Sequence, residues 1–429
     1  MSCPLTDARV ADVVERLPES FNTLKFIAGC PNGGGDASGA ACPVVVRSGG
    51  RALCGKRLAA FQAQPGSGLD KNNRVSPARW RKRGATPDAA PRPAHRKTRR
   101  RSDWDSRMRA HQVHWKTEVA GVAETGTHQG SARDYLFPPR LQSSNLLPGF
   151  AAVIDAELAR HGVTSHTYAH HVMSSQAFAL NLGAPFFQAP EALLPVLRSV
   201  LPPALGARVA KVSRIEPEYD GDTNYFGEPG RRGSNRTSSD LAVWWQDVDG
   251  RECLLLIEVK FSERAFGDCN KGRKHRGVCD TGGSELVQSC GAGCPLTGPG
   301  LNRGYWAHMQ KTALFHPERL AQTRACPFRA DGYQLMRNQL LAAVIEQDPS
   351  RPEHRVDFAV LFHSGNPHVL KPTGFPGAER GLRAWADLLR APDRFHLIPA
   401  QAWVGAAPTE TDSWKAAFSE RYLAEHLNT

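Results

Sequence analysis

The sequence lacks any apolar run approaching the ~18 residues that cross a bilayer, so no membrane-spanning helix is expected. It also lacks the charged start and apolar core of a signal peptide, since it opens Met1-Ser-Cys-Pro-Leu-Thr-Asp7. Both absences point to the cytoplasm. Hydrophobic residues make up only 41% of the 429, alongside 31 Pro and 39 Gly, so part of the chain is not expected to pack into a core. Acidic groups are the scarcer sign: 42 Asp and Glu against 54 Lys and Arg leave a net charge of +12. That excess favours a polyanionic partner, nucleic acid above all, without proving one. In a cytosolic protein the ten cysteines suit thiols or metal ligands better than disulfides.

The apolar residues are unevenly spread. Residues 1–27 hold one short amphipathic pattern, Val10, Val13, Val14 and Leu17. From Ala28 to Arg101 the chain is rich in Gly, Pro, Ala and Arg and closes on the basic run His95-Arg-Lys-Thr-Arg-Arg-Arg101. With so little to bury, this stretch is expected to be disordered. Residues 1–104 therefore read as a low-complexity basic extension and 105–429 as the folded domain. The basic run is either an arm on nucleic-acid phosphates or a solvated tail.

Within the folded part, the sequence from Asp240 to Lys260 reads as a β-hairpin. Asp249-Gly250 is a turn dipeptide, and both flanks are rich in β-formers. Folding about that turn sets Asp240 roughly opposite Glu258. Alternation puts Glu258 and Lys260 on one face and Val259 on the other. Two carboxylates and an ammonium then meet beside the apolar run Leu254 to Ile257. Charge at the end of a buried strand needs compensation, which a divalent cation would supply. The plainer reading is an ordinary Glu258–Lys260 salt bridge.

Helical spacing marks Arg107 to Val119, Phe150 to His161, a segment N-capped by Ser174, Pro190 to Leu201, Tyr333 to Ile345 and Trp414 to Leu427. Strand character marks Val209 to Tyr219, Arg355 to His363 and Phe395 to Pro399. The alternation from Val209 onward implies a small mixed β-sheet flanked by helices on both faces, an α/β architecture.

Asp240 followed by Glu258-Val259-Lys260 resembles the PD-(D/E)XK nuclease superfamily, with Ser239 where the motif usually has Pro. Further segments sharpen the likeness: Leu146-Leu-Pro-Gly149, Ser174-Ser-Gln-Ala177, Glu218-Tyr219, Gly227-Glu228, Arg236-Thr-Ser-Ser-Asp240 and Tyr333-Gln-Leu-Met-Arg-Asn338. Together they resemble a bacterial family of restriction-endonuclease-like proteins over roughly Arg107 to Tyr422. The resemblance implies a restriction-endonuclease-like core and phosphodiester hydrolysis, of DNA more readily than RNA. It implies Mg²⁺ or Mn²⁺ held by Asp240, Glu258 and the Val259 carbonyl, with Lys260 orienting or deprotonating a water. Such families often add an acid from a helix before the first strand. No clear match stands out, since Glu157 lies on an early helix and Gln176 is not acidic.

Around this set, Arg231, Arg232 and Arg236 are candidates for phosphate contacts, against a self-neutralising loop as the plainer reading. Glu228, Gln176, Gln334 and Arg337 are candidate supports; Arg337 and Asn338 are expected off the core stripe of their helix. Between 263 and 326 lies a cysteine-bearing insertion. Cys290-x3-Cys294 has zinc-compatible spacing, and Cys269 with Cys279 would complete four ligands for zinc or an iron–sulfur centre, or all four are free thiols. The rival to a nuclease is an inactive relative that binds nucleic acid, against which the intact Asp240, Glu258 and Lys260 argue. Double-strand cutting would favour a homodimer.

Overall fold

The computed structural model describes residues 103–424 except 164–168, 231, 233–235, 272–278, 281–282, 299, 324, 331, 371–374 and 376, together with the backbone of three short strands nearer the N-terminus. The chain divides into two compact units, Met1–Arg99 and Arg100–Thr429. In the first, Leu24–Lys25 pairs antiparallel with Val45–Ser48, which pairs with Arg51–Cys54. The Val10–Leu17 pattern, the basic run and the rest of the expected disordered stretch lie outside the described residues.

The second unit is mixed α/β, built on five strands: β1 (Val209–Tyr219), β2 (Ser239–Asp247), β3 (Glu252–Lys260), β4 (Arg355–Phe362) and β5 (Phe395–Pro399). Their order is β5-β4-β3-β2-β1. The first three form an antiparallel meander, while β4 runs parallel to β3 and β5 parallel to β4. The β2–β3 turn forms where its dipeptide predicts. Gly250 takes φ 77°, and Asp247 Oδ1 accepts the N–H groups of Asp249 (2.9 Å) and Arg251 (3.0 Å). β1 is an edge strand, which is why Pro217, lacking an N–H, is tolerated inside it.

Helices α1 (Asp103–His114), α2 (Ala151–Arg160), α3 (Ser175–Gly183), α4 (Tyr333–Glu346) and α5 (Asp412–Phe418) are joined by shorter helical turns. Ser174 caps α3 as its sequence predicts, its Oγ accepting the Ala177 N–H at 3.3 Å. Strand alternation sorts the side chains into two cores. Val243, Trp245, Leu255 and Ile257 pack with α3 and α5 on one face. Ala242, Trp244, Leu254 and Leu256 pack with α4 on the other. Asp240, Glu258 and Lys260 continue the second series by alternation, so they stand on the α4 side. Among the described residues no helix is long and apolar enough to cross a membrane.

The N-terminal helix of this unit is fastened to the C-terminal segment. Arg421 is fully buried (0% exposed). It stacks 3.7 Å from the Trp115 ring and donates to Asn145 O (2.8 Å) and Gln112 Oε1 (3.1 Å). Asn181 on α3 is a satisfied buried amide: its Oδ1 accepts from Leu147 N (2.8 Å), and its Nδ2 donates to the Tyr422 hydroxyl (2.9 Å).

Candidate active site

The strand register gathers three carboxylates. Pro217 pairs with Leu241, which pairs with Ile257. One residue further along, Glu218, Asp240 and Glu258 therefore lie side by side across β1, β2 and β3. Asp240 Oδ2 accepts the Val259 N–H at 2.6 Å, tying the start of β2 to the end of β3. Lys260 Nζ lies 2.8 Å from Glu258 Oε1 and donates to Gln334 Oε1 at 2.8 Å. Glu263 Oε2 accepts the N–H groups of Phe261 (2.9 Å) and Ser262 (3.0 Å) just beyond.

Their charges are mutually perturbed. Burial, then Glu258 and Glu218, lift the Asp240 carboxyl well above the usual carboxylate range, against the opposing pull of Lys260 and the Val259 N–H. Burial also raises Glu258, only partly offset by Lys260. For Lys260, burial alone would favour the neutral amine. Glu258, Glu263 and Asp240 outweigh it and hold the ammonium above its ordinary value. Ionised together, the acids would carry more negative charge than one lysine neutralises, in a setting where water screens poorly.

Glu218, named in the sequence only within a family-like segment, was given no place in the site. It comes from the edge strand rather than from a helix. Gln176, at the start of α3, donates to its Oε1 at 2.8 Å, so the helix contributes an amide that holds the carboxylate. Glu218 takes φ 51°, a left-handed conformation that non-glycine residues adopt at some strain. The signal available was positional: an acid near the end of the strand preceding Asp240. Asn338 was also misplaced. Expected off the core stripe, it is 1% exposed and donates from Nδ2 to Glu258 Oε2 at 2.6 Å. Four residues after Gln334, it shares that residue's face of α4, so the helix addresses Lys260 and Glu258 from one stripe.

Arg337 and Glu228 form a brace beside the site. Arg337 donates to Glu228 Oε1 (2.9 Å) and Thr237 Oγ1 (2.8 Å). Glu228 Oε2 also accepts the Thr237 N–H at 2.6 Å, and the Tyr305 hydroxyl donates to Oε1. This clamps the segment leading into Asp240 against α4. The arginines are likewise engaged. Arg236 Nη1 is 2.9 Å from Asp220 Oδ2, while Arg232 bonds Glu216 Oε2 (2.8 Å) and the carbonyls of Pro217 (2.7 Å) and Glu218 (3.0 Å). Arg231 lies outside the described residues.

The acids suit a hard cation: oxygen donors, buried, with unbalanced negative charge. Among the described residues, one group of three acid, Cys or His ligand atoms lies within 4.8 Å of one another: Asp247, Cys253 and His354, at the opposite end of the sheet. That group is no vacant site. Asp247 is already saturated by Arg208 (2.9 Å), Arg251 (2.8 Å) and the turn's N–H groups. These partners, opposing burial, hold its carboxyl well below the usual range. In the insertion, Cys269, Cys279, Cys294 and Cys326 are buried, whereas Cys290 is half-buried.

Comparison with curated proteins and with solved structures gives no match. A family model does match, over residues 109–423, a span that takes in α2 to α5, all five strands and every acid of the site. By that match the chain belongs to the family described as restriction endonucleases associating with ARP.

Proposed function

We propose that the chain is a divalent-metal-dependent nuclease that hydrolyses phosphodiester bonds, with DNA as its substrate. The observation that carries this is the row Glu218, Asp240 and Glu258 beside Lys260, with Asp240 and Glu258 both raised by burial. Asp240, Glu258 and the Val259 carbonyl would hold Mg²⁺ or Mn²⁺, with Glu218 alongside. Such an ion, when bound, acidifies a water and neutralises charge on the phosphate. Lys260, held in its ammonium form by Glu258, Glu263 and Asp240, acts as a donor to the phosphoryl oxygens rather than as a base. Gln334 and Asn338 fix Lys260 and Glu258, and Gln176 fixes Glu218.

The net charge of +12 supports a polyanionic substrate. With Arg232 and Arg236 paired to carboxylates, either one contacts phosphate only by exchanging partners. A homodimer would place two such sites for double-strand cutting. Association with ARP rests on the family's description alone.

The test is cleavage of plasmid, single-stranded DNA and RNA with Mg²⁺ or Mn²⁺ by wild type, Lys260→Ala and Asp240→Ala. Each variant is expected to lose at least about 100-fold in rate while remaining folded. A wild type that binds DNA but neither cleaves any substrate nor binds either ion would support the inactive relative instead.

A further inference from the structure

We propose that Cys269, Cys279, Cys294 and Cys326 hold a metal centre through four thiolates, separate from the acidic site. The set differs from the one spacing suggests, because Cys326, from beyond the glycine-rich stretch, replaces Cys290. Backbone hydrogen bonds draw three of the four segments together. Cys326 N donates to Cys279 O at 2.9 Å, Arg329 N to Cys326 O at 3.2 Å, and Cys269 N to Arg329 O at 2.9 Å. Cys279, Cys294 and Cys326 share one apolar cluster with Leu286, Trp306 and Phe328. The Cys294 turn is closely fitted there, since a Cβ on Gly291 would stand 2.2 Å from the Trp306 ring.

Cys269, Cys279, Cys294 and Cys326 are all buried. Cys290 sits half-buried at φ 51°, outside the apolar cluster. Cysteine often fills a core as a small hydrophobe, but filler alone gives no reason for the Cys269, Cys279 and Cys326 segments to be hydrogen-bonded together.

The surrounding segment gives the centre a purpose. Its described helices are Gly283–Gln288, Tyr305–Lys311 and Pro317–Leu320, each too short to be stable alone. A metal staple offsets the ordering entropy of such a segment. Among the described residues no three of these sulfurs lie within 4.8 Å of one another. Tetrahedral zinc, at about 2.3 Å from each sulfur, needs them about 3.8 Å apart. Zinc would therefore require the sulfurs to draw closer together, whereas an iron–sulfur cluster, also held by four cysteines, spans more. The shared chemistry is a four-thiolate pocket.

The full chain is purified from zinc-supplemented culture and, anaerobically, from iron-supplemented culture. Zinc, iron and acid-labile sulfide are then measured per chain for wild type, Cys326→Ser, Cys279→Ser and Cys290→Ser. About one zinc, or iron with matching sulfide and visible absorbance, is expected in wild type. Cys290→Ser is expected to retain it, and the other two to lose most of it. Wild type with less than about a tenth of an equivalent of either metal, and with its thiols open to titration, overturns the proposal. So does a Cys290→Ser loss as deep as that of Cys326→Ser. Metal content of wild type decides even if a serine variant fails to fold.

Discussion

Asp240 is the residue whose chemistry most depends on its neighbours. Its carboxylate is raised by burial, Glu258 and Glu218 together, so the metal-free fold holds a proton there to higher pH than the unfolded chain does. In the window between the ordinary carboxylate value, about 3.9, and the raised one, the folded state binds more protons, and stability falls as pH rises. Asp240→Asn removes that charge and keeps an oxygen for the Val259 N–H. In chelator, at pH above the raised value, the variant should be more stable than wild type by about 1 kcal/mol. The difference should vanish as pH falls through the raised value, where wild type is itself protonated. Thermal unfolding of both proteins across that range is the measurement, and a gap independent of pH would sink the assignment. Added Mg²⁺ should stabilise wild type and leave Asp240→Asn unmoved.

At the scale of elements, much of the site was legible before any coordinates. Asp249-Gly250 sets the hairpin, and the period of two puts Glu258 and Lys260 together, because local turn chemistry and alternation suffice for a β2–β3 pair. Glu218 was not legible in the same way. Its place beside Asp240 depends on how β1 registers on β2, and the long connection between Tyr219 and Ser239 has no turn dipeptide that fixes that register. Asn338 was misjudged because helical periodicity identifies an apolar stripe, while the site end of α4 is buried against charge rather than against hydrocarbon. Cys326 escaped because its link to Cys279 is a tertiary contact that no spacing rule encodes. The Glu228–Arg337 brace makes an element-level prediction. Arg337→Met leaves Glu228 buried with one fewer cation, and should destabilise the fold by about 3 kcal/mol. Adding Glu228→Gln should recover at least about 1 kcal/mol of that loss, since the two share one network. Denaturant unfolding of the two singles and the double supplies the cycle. Additive losses would show that the brace contributes nothing as a pair.

For the whole molecule, the family match and the fold disagree about where the working unit starts. The match begins at residue 109, yet α1 begins at Asp103 and buries Trp104, Asp105 and Met108. The Trp104 ring packs at a tilt against His363, 5.2 Å between centroids and just past β4, and Gln112 donates to Arg421 O at 2.7 Å. Arg421 is a buried cation that burial pulls down to about 10. It draws its compensation from the Trp115 and Tyr422 rings and from neutral acceptors, so removing α1 strips away much of what makes its burial tolerable. A fragment of residues 103–429 should therefore fold cooperatively, melt within about 2 °C of the full chain and keep the proposed metal-dependent cleavage. A fragment of residues 121–429 keeps every strand and every acid of the proposed site, but lacks Gln112 and Trp115. It should lose several kcal/mol, the order expected when a buried charge loses its partners, and fail to give a cooperative transition. Circular dichroism melts of the two fragments decide the matter. If 121–429 melts like the longer fragment, the buried Arg421 lock is dispensable and the unit begins where the family match does. If 103–429 alone fails to fold, the first hundred residues contribute to the stability of the α/β unit.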